Sequence, residues 1–173
     1  SGDKGEIDSD GYVKITGRIK ELYVSSGGKN IAPLVIEETM KSIPMVSQCM
    51  LIGDGRKYCS ALFTLDVGAI LRDKHGMDPA KIPKDPTVQI STLESFGKTL
   101  ADYTDSEEIH AEMQAQVTEL NGQFSNPEQI KKFKILPRDL NVDFGELTPT
   151  LKIRRIQIRE NWAAEIEAMY EGA

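Results

Sequence analysis

"VSQCMLIGDGRKYCSALFTLD", residues 46–66, is the stretch that decides the fold. Two β-like runs, 46–53 and 58–66, flank Asp54-Gly55-Arg56-Lys57, a turn-forming tetrapeptide. Together they read as a β-hairpin. Both runs are apolar at odd and even positions alike, and a strand of that kind must be covered on each face. The rest of the chain therefore has to supply two covering layers.

Working toward the N-terminus, "LVIEETMKS" (34–42) follows Pro33, a residue tolerated in a first helical turn. A short helix is expected there, ending before Ile43-Pro44 because the residue before proline avoids the helical region. Gly27-Gly28-Lys29-Asn30 reads as a turn. "YVKIT" (12–16) and "ELYVSS" (21–26) alternate with period two and read as short strands, after a turn at Asp8-Ser9-Asp10-Gly11.

Toward the C-terminus, Asp66 is placed to cap a helix through "VGAILRDKHG", with Gly76 as its stop. Residues 77–90, rich in Pro and Lys, read as loop. Asp105 to Glu108 has the spacing of a capping box. Ile109, Met113, Val117, Leu120 and Phe124 then fall on one helical face, a packing stripe rather than a cofactor box. Asn126-Pro127 opens a turn. "KFKIL" (132–136) reads as a strand with Phe133 and Ile135 on one side. From about Ile153, a last helix carries Ile158, Trp162, Ile166 and Met169 as a stripe. The expected class is α+β, with a small, mostly antiparallel sheet flanked by helices.

The 173 residues suffice for one domain with a proper core, and the net charge of −6 argues against coating nucleic acid or a membrane surface. No apolar run is long enough to span a bilayer, and no signal peptide is visible. The chain opens on Ser1 in what reads as a turn, so a fragment of a longer chain is expected. Cys49 and Cys59 lie in apolar runs without His or Cys partners at metal-ligand spacing, and His75 and His110 are equally isolated. Buried reduced thiols and no metal site are expected. Ser25 and Ser26 have no His or Asp pattern to make them nucleophiles.

"LTPTLKIRR" (147–155) sets Lys152 at the end of a stiff Thr-Pro-Thr loop. Lys152, Arg154, Arg155 and Arg159 form the densest basic run. Such a run is more often a solvated helix face than a surface that meets phosphates of a ligand or anionic groups on another domain.

Three stretches taken together carry a family likeness: "SGDKGEIDSDGYVKITGR" (1–18), "GRIKELYVSSGGKNIAPLVIEE" (17–38) and "LTPTLKIRR" (147–155). In order and spacing they resemble the end of the large domain and the small C-terminal domain of the adenylate-forming superfamily. That superfamily includes acyl-CoA synthetases, peptide-synthetase adenylation domains and firefly luciferase. The second and third stretches are most similar to long-chain fatty acyl-CoA synthetases of the bubblegum-like type. The resemblance implies that residues 1–19 are the tail of the large adenylation domain and 20–173 the small mobile lid, with a helical elaboration at about 67–130.

It further implies a two-step ligase that forms an acyl-adenylate from a fatty acid and ATP, then a thioester with CoA, by alternation of domains. Alternatives are a related acyl- or aryl-CoA ligase and a non-catalytic interaction module of the same fold. Carried over by the motifs, Lys152 is the adenylation lysine, Asp3 and Arg18 contact the nucleotide, and Lys20 is the hinge. Gly27 and Gly28, with Lys29, face the pantetheine arm of CoA. Much of the superfamily has Gly where this chain has Leu151. The implied small molecules are ATP, CoA and Mg²⁺, with the Mg²⁺ ligands in the large domain. The implied partner is that domain, with no nucleic acid. The expected location is the cytoplasm, with peripheral contact at the inner face of a membrane left open.

Overall fold

The computed structural model describes residues 3–7 and 13–18 by their backbone alone, and residues 22–171 in full. Around the hairpin, β5 (Val46–Ile52) and β6 (Cys59–Leu65) pair antiparallel, with Cys49 opposite Phe63 and Leu51 opposite Ala61. Strand β7 (Ile130–Ile135) joins the free edge of β6 in parallel, with Phe63 opposite Ile135.

Both faces of the β5–β6 hairpin are covered, as the doubly apolar runs require, whereas β7 leaves Lys132 and Lys134 exposed. Cys49, Leu51, Ala61, Phe63, Phe133 and Ile135 point into one core. That core is completed by Ile36 and Met40 of α1 (Pro33–Met40), Ile70 and Leu71 of α2 (Val67–His75), and Met113 and Val117 of α5 (Glu107–Asn121). Met50, Ile52 and Leu62 point the other way, onto Ile158, Trp162, Ile166 and Met169. These four lie along α6 (Arg155–Asn161) and α7 (Ala163–Ala168), the helical stripe expected of the C-terminal segment, although the helix breaks at Trp162.

The parallel β6–β7 pair explains the long middle of the chain. Parallel neighbours cannot be joined by a tight turn and need a crossover. Here the crossover runs from Asp66 to Gln129 and carries α2, α3 (Pro86–Ser95), α4 (Ala101–Thr104) and α5. The helices between β6 and β7 are therefore the crossover itself, and they cover one face of the sheet.

Several local expectations change. Residues 77–90 are not plain loop: Pro79–Lys81 forms a 3₁₀ turn, and α3 begins at Pro86. Both starts follow one device, an Asp before a Pro. Asp78 accepts from the amide of Ala80 at 3.0 Å, and Asp85 from that of Thr87 at 2.8 Å. The cap of α5 is Ser106, not Asp105; its hydroxyl accepts from the Ile109 amide at 3.3 Å. The caps of α2 stand as expected, with Asp66 accepting from the Ala69 amide and Gly76 left-handed.

Near the N-terminus, β1 (Asp3–Ile7) pairs antiparallel with β2 (Val13–Arg18), so the "YVKIT" strand turns back onto a strand not anticipated from the sequence. Likewise β3 (Tyr23–Val24) pairs with β4 (Asn30–Ile31), which draws Asn30 out of the turn and into a strand. Cys49 and Cys59 are buried free thiols. Burial pushes Cys49 well up and Cys59 to about 11, so neither is a ready nucleophile. Among the described residues no helix is long and apolar enough to cross a membrane.

Candidate functional site

The Lys152 loop is a closed hairpin. Leu147 and Ile153 form an antiparallel bridge at its base. Pro149 sets the backbone of a turn closed by the Leu151 amide on the Thr148 carbonyl at 2.8 Å. Thr148 then holds Lys152 twice: its amide donates to the Lys152 carbonyl at 2.8 Å, and its hydroxyl accepts from the Lys152 amide at 3.1 Å. The lysine backbone is fixed in this way. Its ammonium makes no ion pair or hydrogen bond among the described residues. A fixed base and an unengaged cation suit a side chain that meets a ligand.

Leu151 is the single non-glycine residue with positive φ among the described residues, at 65°, and it is 61 % exposed. This is the position where the resemblance puts Gly, and the left-handed backbone explains why. Leucine tolerates the strain because its side chain is free in solvent. Leu151→Val should lower stability by about 1 kcal/mol, since a β-branched residue adopts this region poorly, whereas Leu151→Gly should be neutral or better. Thermal unfolding of the two variants side by side checks this.

The base of the loop rests on a buried carboxylate. Glu146 is fully excluded from solvent. It takes a two-pronged grip from Arg138, 2.7 and 3.1 Å, and accepts from the Trp162 indole at 2.8 Å and the Asn161 amide group at 3.1 Å. Burial alone would raise its carboxyl, but the hydrogen bonds from Arg138, Asn161 and Trp162 together hold it below the usual carboxylate range. On the main chain, the Glu146 carbonyl accepts from the Arg154 amide at 2.8 Å.

Within the basic run, Arg154 and Arg159 are exposed and Arg155 behaves differently. Arg155 is not solvated, and although it lines the same cleft as Lys152, its guanidinium is turned to a carboxylate of this chain. It enters the core and pairs with Glu37 of α1. Glu37 had a readable signal: Pro33, Ile36, Glu37 and Met40 are the buried residues of α1, at the spacing of one apolar stripe. A carboxylate on such a stripe needs a partner. Glu146 has no comparable local mark, because its donors come from residues up to sixteen positions away.

Lys152 borders a cleft of about 370 Å³ between α1, the start of β5 and its own loop. Leu34, Glu38, Lys41, Gln48 and Cys49 also line it. Lys41 is a further cation in this cleft, beside Lys152 and Arg155, that the sequence did not single out; Glu38 lies 3.7 Å from it.

Gly27, Gly28 and Lys29 lie elsewhere. Their loop is closed by the Gly28 amide on the Ser25 carbonyl at 2.9 Å and the Lys29 amide on the Ser25 hydroxyl at 3.1 Å. It is tied to the β5–β6 turn through the Ser26 amide and the Arg56 carbonyl at 3.0 Å. The two loops thus sit toward opposite ends of β5, and the structure does not bring them together. Gly28 has φ of 81°, so the turn itself demands glycine there. Gly27 does not: a β-carbon on it would meet only the Ser25 hydroxyl, at 3.8 Å.

Asp3 and Arg18 are Cα partners across β1 and β2, which brings their backbones together; their side chains lie outside what is described. Lys20 lies outside the described residues altogether.

Residues 20–81 match a family model described as the AMP-binding enzyme C-terminal domain. The Lys152 loop is beyond that match. The chain is 37 % identical over 170 residues to the long-chain-fatty-acid–CoA ligase FadD15 of Mycobacterium tuberculosis, covering 98 % of this chain and 26 % of that protein. It is 33 % identical over 181 residues to the long-chain-fatty-acid–CoA ligase ACSBG1 of Homo sapiens, covering 99 % and 24 %. The chain therefore spans about a quarter of the length of these relatives. Among solved structures it is similar to the A domain of a carboxylic acid reductase from Segniliparus rugosus. There the TM-score is 0.71 at 18 % identity, over 99 % of this chain and 23 % of that one, a likeness of fold.

Proposed function

We propose that this chain, whose residues 20–81 match the AMP-binding enzyme C-terminal domain model and which is 37 % identical over 170 residues to a long-chain-fatty-acid–CoA ligase, is the C-terminal domain of an AMP-forming long-chain fatty acid–CoA ligase. In the first step a fatty acid carboxylate attacks the α-phosphate of ATP and releases pyrophosphate. In the second, the thiol of CoA attacks the acyl-adenylate and releases AMP.

The observation that carries this reading is the Lys152 loop, with its pinned backbone and an ammonium that none of the described residues engages. In-line attack gathers negative charge at the α-phosphate and the attacking oxygen. A cation delivered there stabilises the transition state more than the ground state. The glycine loop serves the second step, where Gly27 and Gly28 let the backbone approach the pantetheine arm and Lys29 lies beside it. The two loops flank opposite ends of β5, so one active site meets them in turn if the domain rotates, with Lys20 as the hinge. Asp3 and Arg18 serve the ribose of the nucleotide.

Mg²⁺ belongs to the same reading. Among the described residues no group of three or more His, Cys, Asp or Glu gathers that could hold an ion. Its ligands are assigned to the large domain. The cytoplasm remains the proposed location.

The test is a two-step assay of the whole protein across acids of different length, following pyrophosphate release and then thioester formation. Long-chain acids should lead, and the 173-residue chain alone should form no acyl-CoA; measurable turnover by that chain would overturn the reading. The glycine loop has its own test. Gly28→Ala should cost roughly 1 kcal/mol of stability through its positive φ, whereas Gly27→Ala should unfold like the parent. A fall in thioester formation by Gly27→Ala, with adenylation unchanged, then reports ligand approach rather than folding. No change in either step would remove Gly27 from the CoA surface.

A further inference from the structure

Arg155 follows Lys152 by three residues and opens α6. Its guanidinium grips Glu37 with both terminal nitrogens, Nη1 to Oε2 at 2.5 Å and Nη2 to Oε1 at 2.7 Å. The two side chains are only 10 % and 3 % exposed. Glu37 is held in turn by the Leu51 amide at 2.7 Å. One pair thus ties the arm of the lysine loop to α1 and to Leu51, one residue from the end of β5. Desolvation offsets much of the attraction in a dry ion pair, so its distinctive contribution is geometry: two parallel bonds fix distance and angle together.

Resting on the proposed role of Lys152 in adenylation, we propose that Glu37 and Arg155 are a positioning pair for that lysine. Three residues of chain reach about 10 Å, so the place of the Arg155 guanidinium sets where the lysine arm can stand. The opposite arm is held independently, at Glu146. The glycine loop does not depend on Arg155 in the same way. Arg155 Nη1 does reach the Tyr23 hydroxyl at 3.3 Å, but that hydroxyl also donates to the Leu51 carbonyl at 2.9 Å. Val24 and Ser26 have their own bonds to the β5–β6 turn. Loss of Arg155 should therefore reach the first step and spare the second.

Arg155→Met alone removes the cation from a buried carboxylate and challenges folding, so the informative variant is Glu37→Gln with Arg155→Met. Its amide oxygen still accepts from Leu51, and no charge is left buried. In the whole enzyme this double variant should form acyl-adenylate on the order of 10²-fold more slowly, the size expected of a catalytic group displaced by about an ångström. Thioester formation from supplied acyl-adenylate should stay within about twofold of the parent. Added to Lys152→Ala, the same pair should change adenylation by less than about twofold, because there is no lysine left to position. Arg155→Lys should not restore the rate, since one ammonium cannot make the two-pronged grip. Equal loss in both steps, or losses that multiply with Lys152→Ala, would make the pair a general structural element and overturn the inference. Unchanged adenylation in Lys152→Ala by itself would instead overturn the reading of the lysine, a separate outcome.

Discussion

Lys152→Ala in the whole enzyme is expected to slow acyl-adenylate formation by roughly 10²–10³, about 3–4 kcal/mol of lost transition-state stabilisation. Thioester formation from supplied acyl-adenylate should be nearly unchanged. The size follows from removing one preorganised charge partner from a phosphoryl centre. The selectivity follows from placement, because Lys152 borders a cleft near the start of β5 while the glycine loop is tied to the turn beyond its end. Folding should survive, since Lys152 is exposed and its backbone bonds to Thr148 do not use its side chain. Lys152→Arg should recover only part of the rate: it returns charge but not the compact point charge of an ammonium. Measuring pyrophosphate release and thioester formation separately decides the matter, and an equal fall in both would make Lys152 a structural residue.

Glu146→Ala is expected to destabilise the chain by about 3 kcal/mol. Removing one member of a buried pair typically costs about 3–5 kcal/mol; the lower end applies because Arg138 is 35 % exposed and can be rehydrated. The Trp162 indole and the Asn161 amide group also lose their acceptor. In urea the midpoint should fall with little change in slope, and Glu146→Gln should lose less because it keeps an oxygen acceptor.

Acid gives an independent readout of the same site. The folded Glu146 carboxyl is held below its ordinary value of 4.5. Its contribution is therefore fully present above that value and is lost as pH falls through the lower, folded value. Between those two values the parent should lose stability faster than Glu146→Gln as acid is added. Parallel curves would show that the carboxylate contributes nothing there.

Much of the scaffold was legible because it rests on local pattern. Doubly apolar strands demand two covering layers, and both are present. The stripe Ile109, Met113, Val117 and the stripe Ile158, Trp162, Ile166, Met169 are buried as their spacing requires. The misses have two causes. Whether residues 77–90 stay loop depends on which side chain turns back to cap a backbone amide, and Asp78-Pro79 and Asp85-Pro86 compete with the surrounding Pro and Lys signals. The parallel pairing of β7 has no local signature either, since it is settled by where a crossover of more than sixty residues returns.

The amino-acid order by itself determined the kind of fold, the two apolar faces, and the loop that carries a lysine after Thr-Pro-Thr. Hydrophobic period and proline geometry act over a few neighbouring residues, so a linear reading can follow them. Tertiary structure alone decided what that basic run does. Arg154 and Arg159 stay exposed, while Arg155 is drawn into the core. The reason is physical: a charge leaves water only where a distant group meets it in the right geometry, and Glu37 stands 118 positions away in the chain.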